Sequence, residues 1–207
     1  MTIANDLQLL KRTYPGAGYY LNWDTPFHLL IATILSAQCT DVIVNKTTPA
    51  LFAKYKKPQD ILLSSESVLA KEISMVTFAQ AKAKHIRKSC ETLIKEFGGE
   101  VPKSIEQLTT LAGVGRKTAN AIQQNAYGIV NGIIVDTHVI RLAQRLGWTK
   151  NKNPEKIEQD LMKLIPKDEW KSIPHLLKSH GQKICTAKKA YCDQCPLKKT
   201  CPSAFKV

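Results

Sequence analysis

No apolar run in the 207-residue chain approaches the roughly 18 residues of a membrane span, and Met1 to Tyr20 has no signal-peptide pattern. A cytoplasmic protein without a membrane partner is expected. Strand signals are just as scarce, the best being Gly132-Ile-Ile-Val135, which is short and isolated. Internal repeats and low-complexity tracts are absent. Acidic residues are in deficit: 17 Asp and Glu face 30 Lys and Arg, a formal charge of +13. That excess favours a polyanionic partner, although charge alone does not separate DNA from RNA or an anionic surface.

What is present is helical, and the expected fold class is all-α with many short helices. Ile3, Leu7 and Leu10 recur at helical spacing over residues 3–13, and Pro15-Gly-Ala-Gly18 ends that helix. Thr25-Pro26 is an N-cap and N1 pair. Phe27 to Leu35 behind it is apolar nearly all round, which predicts a buried central helix. Thr40-Asp41 opens a helix that Pro49 should break. Short helices are expected near 59–63 and 66–73, then a long one from about Ala79 to Phe97, stopped by Gly98-Gly99. Asp136 should cap a helix ending at Gly147, Asn153-Pro154 should start the next, and a last helix should occupy 168–180, ahead of Gly181.

The most informative stretch is Leu111 to Asp136, LAGVGRKTANAIQQNAYGIVNGIIVD. Gly113 and Gly115 flank Val114, the pattern of a tight hairpin that uses positive φ and close backbone approach. Ser104-Ile-Glu-Gln107 reads as a capping box opening a short helix before it. Arg116 to Tyr127 reads as a second helix with Gly128 as its stop. Helix, hairpin and helix (about 104–128) offer unpaired N–H groups at a helix N-terminus, a phosphate site. Arg116 and Lys117 occupy the first turn, where the dipole disfavours cations unless an anion binds or an amine is meant to lose its proton.

Six cysteines in a reducing compartment point to metal or catalysis rather than disulfides. Cys185, Cys192, Cys195 and Cys201 are spaced C-x6-C-x2-C-x5-C. Zinc sites usually pair two knuckles across a longer loop, whereas one compact run suits a [4Fe–4S] cubane, although the spacing differs from ferredoxin patterns. Zinc remains the competing reading. Lys188 and Lys189 lie between the first two ligands, either as a solvated face or as phosphate contacts. Cys39 and Cys90 read as core thiols.

LAGVGRKTAN, the VDTH about twenty residues on, LSAQCTD at 35–41, HGQKIC at 180–185 and the cysteine spacing occur together, and the chain resembles the endonuclease III family of bifunctional DNA glycosylases and abasic-site lyases over essentially its whole length. The resemblance implies a six-helix barrel domain at 21–130, and a second helical domain of 1–20 with 131–207 holding a [4Fe–4S] cluster on Cys185, Cys192, Cys195 and Cys201. It places the nucleophile at Lys117, the catalytic carboxylate at Asp136 and a gap-filling glutamine at Gln38. Gly113, Val114, Gly115, Arg116, Lys188 and Lys189 are the further DNA contacts expected. The implied partner is double-stranded DNA with a damaged base, chiefly an oxidised pyrimidine, or an abasic site. A monomer is implied, nucleoid-associated in a bacterium and nuclear or organellar in a eukaryote.

The chemistry agrees. A damaged base must leave the stack before its glycosidic bond is reachable. An amine attacking C1′ displaces the base and leaves a Schiff base, from which the 3′ phosphate departs by β-elimination. The amine must be neutral, which a cationic, partly buried site promotes, and an aspartate stabilises the positive charge developing on the sugar. Two departures stand out. Ala112 replaces the usual hairpin proline. In Val76-Thr-Phe-Ala79, Thr77 replaces the glycine of the family's DNA wedge, leaving Phe78 as the wedge and predicting a different backbone path. The rival readings are a monofunctional mismatch glycosylase and a non-enzymatic DNA-binding protein with a structural metal.

Overall fold

The computed structural model describes residues 3–207, and among them the chain is helical without a β-strand, its one β-bridge being the isolated pair Cys185 and Ala190. It divides into two compact units, Tyr20–Ile129 and Met1–Tyr19 with Val130–Val207.

In the first unit α2 (Pro26–Ser36) is the centre. Thr25 accepts from His28 N and Pro26 fills the first turn; Leu29, Leu30, Ile31, Ala32, Ile34 and Leu35 are buried. That all-round burial follows from a helix with no polar face. Helices α3 (Asp41–Lys54), α6 (Ala79–Phe97) and α8 (Arg116–Ala126) pack on α2. The short helices α4 (Pro58–Leu62) and α5 (Glu66–Glu72) lie on α6, and α7 (Ile105–Leu108) lies on α8. The expected break at Pro49 does not occur: α3 runs through it. Proline removes one backbone bond, and the burial of Val44, Thr47, Thr48 and Leu51 on either side outweighs that loss.

The second unit joins α1 (Ile3–Thr13) to α9 (Thr137–Arg145), α10 (Pro154–Leu164) and α11 (Ile173–Lys183). Its core unites Leu7 and Leu10 with Val139, Leu142, Ile157, Leu161, Ile173 and Leu177. Gly181 does not end α11, as expected from the sequence, but lies inside it. A Cβ there would stand 2.8 Å from both Arg141 Nη2 and His138 Nδ1 of α9. The glycine serves close helix approach, and the expected stop fails because packing, not propensity, sets the helix end.

Candidate active site and thiol cluster

The hairpin follows its sequence, except that Gly115 is not left-handed and that only the Ser104 half of the expected capping box forms. Ser104 Oγ accepts from Gln107 N at 3.2 Å to open α7, and Leu108 and Leu111 are buried. Gly113 takes the left-handed conformation, φ +79°, and a Cβ there would meet the His85 ring at 3.2 Å. Gly115 does not need positive φ; it is extended, φ −88° and ψ 174°, and serves as the N-cap of α8. Ser89 Oγ of α6 donates to Ala112 O at 2.8 Å, so α6 braces the turn. The Val114 side chain is buried at 6% exposure and its N–H bonds Leu111 O, which leaves little of this residue for a ligand.

Gly115 supplies no side-chain cap, and nothing stands within 4 Å of where its Cβ would be. No acidic residue lies in the first turn of α8. Arg116 and Lys117 are exposed there, so the partial burial expected for Lys117 is not provided within its own unit.

Asp136 ends the segment that leads into α9. One carboxylate oxygen, Oδ1, accepts from His138 N at 2.9 Å and Val139 N at 2.8 Å. The carboxylate is half-buried, and its second oxygen takes no part in the cap. His138 N is therefore bound to the cap, and the His138 ring is 3.2 Å from Arg141 Nη2.

Gln38 and Phe78 are both exposed, and both have the left-handed backbone that non-glycine residues avoid, φ 52° and 57°. Thr77, which was expected to resist that conformation, stays out of it; the following residue takes it instead. Cys39, expected in the core, is only half-buried, because α2 has already ended at Ser36. Cys90 is a core thiol, pushed up to about 12 by burial.

Cys185, Cys192, Cys195 and Cys201 line one pocket of about 400 Å³, open mouth included. Burial first, and then the charges of the other cysteines, push the thiols of Cys195 and Cys201 up. Donors converge on the sulfurs: Arg145 Nη1 lies 3.2 Å from Cys185 Sγ and Phe205 N 3.3 Å from Cys192 Sγ. His180 Nε2 stands 3.5 Å from Cys195 Sγ, and its Nδ1 meets the Tyr14 hydroxyl at 2.9 Å. Among the described residues no three His, Cys, Asp or Glu side chains gather tightly enough to hold a metal ion as they stand. Lys188 and Lys189 are exposed, in a turn closed by Thr186, whose hydroxyl donates to Lys189 O at 2.6 Å. Sequence reasoning missed Arg145 and Phe205, since nothing in their spacing ties them to the cysteines.

Residues 31–167 match the HhH-GPD superfamily base excision DNA repair protein family. The chain is 48% identical over 198 residues to endonuclease III of Synechocystis sp., covering 96% of this chain and 90% of that one. With endonuclease III of Escherichia coli strain K12 the identity is 37% over 201 residues, 97% and 95% of the two chains. The chain belongs to the endonuclease III family. The fold agrees: the structure of a trapped endonuclease III–DNA covalent intermediate matches with TM-score 0.92 and 40% identity, covering 99% of this chain and 96% of that one. Like its family, the protein is a base-excision-repair DNA glycosylase with abasic-site lyase activity, acting on DNA. Among the described residues no helix is long and apolar enough to cross a membrane.

Proposed function

We propose that Lys117 is the amine that forms the Schiff base, that Asp136 assists it, and that the substrate is duplex DNA bearing an oxidised pyrimidine or an abasic site. The observation that carries this reading is the open N-terminus of α8. Its glycine cap makes no side-chain bond to the first backbone N–H groups, no acidic residue lies in its first turn, and Arg116 and Lys117 are exposed there. A phosphate bound by those N–H groups and Arg116 would fix a nucleotide within reach of the amine. Burial of the amine then comes with the DNA.

The Lys117 nitrogen forms a bond to C1′ while the glycosidic C–N bond breaks, and the base leaves with the electron pair and takes up a proton. The nitrogen gives up one proton; as the sugar ring opens, O4′ takes up a proton and the nitrogen keeps its other proton in the protonated imine. A base removes the C2′ proton, and the C3′–O bond breaks with loss of the 3′ phosphate. Water then releases Lys117. Asp136 faces the cationic stage: with Oδ1 held by two backbone N–H groups, Oδ2 is left to stabilise charge on the sugar or to accept a proton. A related enzyme caught as a covalent DNA intermediate is in keeping with this route.

Cys185, Cys192, Cys195 and Cys201 would hold a [4Fe–4S] cluster, whose part is architectural, cross-linking the loop that presents Lys188 and Lys189 to phosphates. Four thiols ringing one pocket suit a multi-atom cluster better than a single zinc ion, and the donors from Arg145 and Phe205 offset thiolate charge. Anaerobically purified protein should contain iron with broad visible absorption; zinc in its place overturns this assignment. A cytoplasmic, nucleoid-associated location follows from the substrate.

Borohydride trapping tests the central claim. Wild-type protein should form a covalent adduct with an abasic duplex, and Lys117→Gln should form none while still binding DNA. An undiminished adduct in the variant would move the nucleophile elsewhere.

A further inference from the structure

Gln38 and Phe78 are joined by a connection that neither sequence position foretells. Thr77 Oγ1 lies 2.7 Å from Gln38 O, and Lys82 Nζ lies 3.4 Å from Thr77 Oγ1 and 2.7 Å from Leu35 O. The proton direction is forced. An ammonium only donates and a carbonyl only accepts, so the hydroxyl receives from Lys82 and gives its single proton to Gln38 O. A hydroxyl between a cation and a carbonyl is polarised, which strengthens the bond it donates.

Lys82 is 4% exposed, unusual for lysine, and burial lowers its pKa while the nearby Cys39 thiol opposes the shift. Its seat explains the charge: Leu35 O belongs to the last turn of α2, where unpaired carbonyls and the helix dipole favour a cation. One buried ammonium thus closes the end of α2 and fastens the hydroxyl that reaches the residue beyond it.

On either side of this clip the backbone is in a disfavoured state. Gln38, two residues past the end of α2, and Phe78, the N-cap of α6, both sit in the left-handed region. Phe78 is 65% exposed and gives α6 no side-chain cap. Non-glycine residues hold such conformations where surrounding contacts over-determine them. Here the contact is the Thr77 hydroxyl, which holds the Gln38 carbonyl, and Thr77 is the residue before Phe78.

We infer that Thr77, backed by Lys82, is a positioning residue for damage recognition, clipping the Gln38 and Phe78 loops together so that both side chains enter the helix as one preassembled unit. This rests on the contact of Gln38 and Phe78 with DNA that the family resemblance implies. Preassembly removes the ordering cost of two separate loops, and its benefit is largest where a paired base must be extruded. A glycine at position 77 would leave the loops independent.

The test is a set of single-turnover excision measurements on a duplex with a paired base lesion and on one with a preformed abasic site, with 2-aminopurine opposite the lesion reporting its unstacking. Thr77→Val keeps the shape and removes the hydroxyl; it should slow excision at the paired lesion about tenfold, the worth of one charge-assisted hydrogen bond. Cleavage at the abasic site should slow by no more than about twofold, since extrusion there needs little help. Thr77→Ser should restore the rate. Gln38→Ala and Phe78→Ala should be non-additive in the wild-type background and additive with Thr77→Val. If neither Gln38→Ala nor Phe78→Ala changes excision or the 2-aminopurine signal, the proposed DNA contacts are wrong and the clip falls with them. If both matter but Thr77→Val behaves as wild type, the contacts stand and the clip is refuted. A melting temperature within a few degrees of wild type for each variant separates positioning from unfolding.

Discussion

Two helix beginnings carry the residues proposed to act on the sugar, and they are finished in opposite ways. Helix α8 starts at a glycine with no side-chain cap and two exposed cations in its first turn. Helix α9 starts at an aspartate whose single oxygen satisfies two backbone N–H groups. Capping an N-terminus with Asp instead of Gly is worth a few tenths of a kcal/mol, and α9 has that stabilisation. Helix α8 forgoes it, and what it keeps is a set of donors and a dipole turned outward. One helix end is finished by its own side chain with an oxygen to spare; the other has no side-chain cap, and is the end proposed to take a phosphate.

Substitutions that exchange those characters should break the contrast. Asp136→Asn has the largest expected effect. Asparagine caps nearly as well, so melting should correspond to a change of about 1 kcal/mol or less, while turnover should fall on the order of 100- to 1000-fold. Normal turnover in the folded variant would leave Asp136 a cap alone. Gly115→Asp does the reverse to α8. The backbone there is extended and the space open, so the side chain fits and should raise stability by a few tenths of a kcal/mol. DNA binding should weaken roughly tenfold, because the new carboxylate claims the donors and repels phosphate. Unchanged affinity would show that α8 does not bind phosphate through its N-terminus.

Lys188→Ala or Lys189→Ala sharpens the comparison from outside it. Each should lower affinity for damaged and undamaged duplexes alike and reduce the salt slope by about one unit, which isothermal titration at several salt concentrations measures. A readout in pH rather than in turnover or affinity comes from His175, which feels the Asp136 charge. Burial first, and then Lys178 and Lys171, push it down to about 4, against the raising influence of Asp136. A histidine with a depressed folded pKa stabilises the protein above its unfolded value near 6.5, and that stability is lost as pH falls towards 4. His175→Gln should flatten this fall by up to about 1.4 kcal/mol per pH unit, read from denaturant midpoints between pH 7 and 4.5. An identical pH profile in the variant would exclude His175 as its source.

How far the sequence could be read depended on whether a signal was local. The hairpin, the caps at Thr25, Asp136 and Asn153 and the stop at Gly98 are short-range chemistry, legible from a few residues. Pro49 and Gly181 misled because a breaker's weak propensity yields to packing from chain far away: buried neighbours carry α3 through the proline, and α9 demands a missing Cβ at 181. Cys39 misled for a related reason, since α2 ends at Ser36 and leaves Cys39 in the loop beyond it. The Thr77–Gln38 link spans 39 positions and the Arg145–Cys185 contact 40, and no periodicity connects such pairs. For Lys117, motif spacing located the residue, but its exposure is a property of the folded unit.

The missing Cβ at Gly181 has a mechanical consequence. With α9 and α11 in contact at that point, Arg141 reaches the carbonyls of Gly181 and Cys185, and Arg145 reaches both Cys185 Sγ and Thr186 O. Helix α9 is then a strut about 13 Å long at 1.5 Å per residue, pinned at its rear to the first thiol and carrying Asp136 at its front. Substituting Gly181 by any side chain would pry the strut from its bearing, because a Cβ there collides with Arg141 and His138.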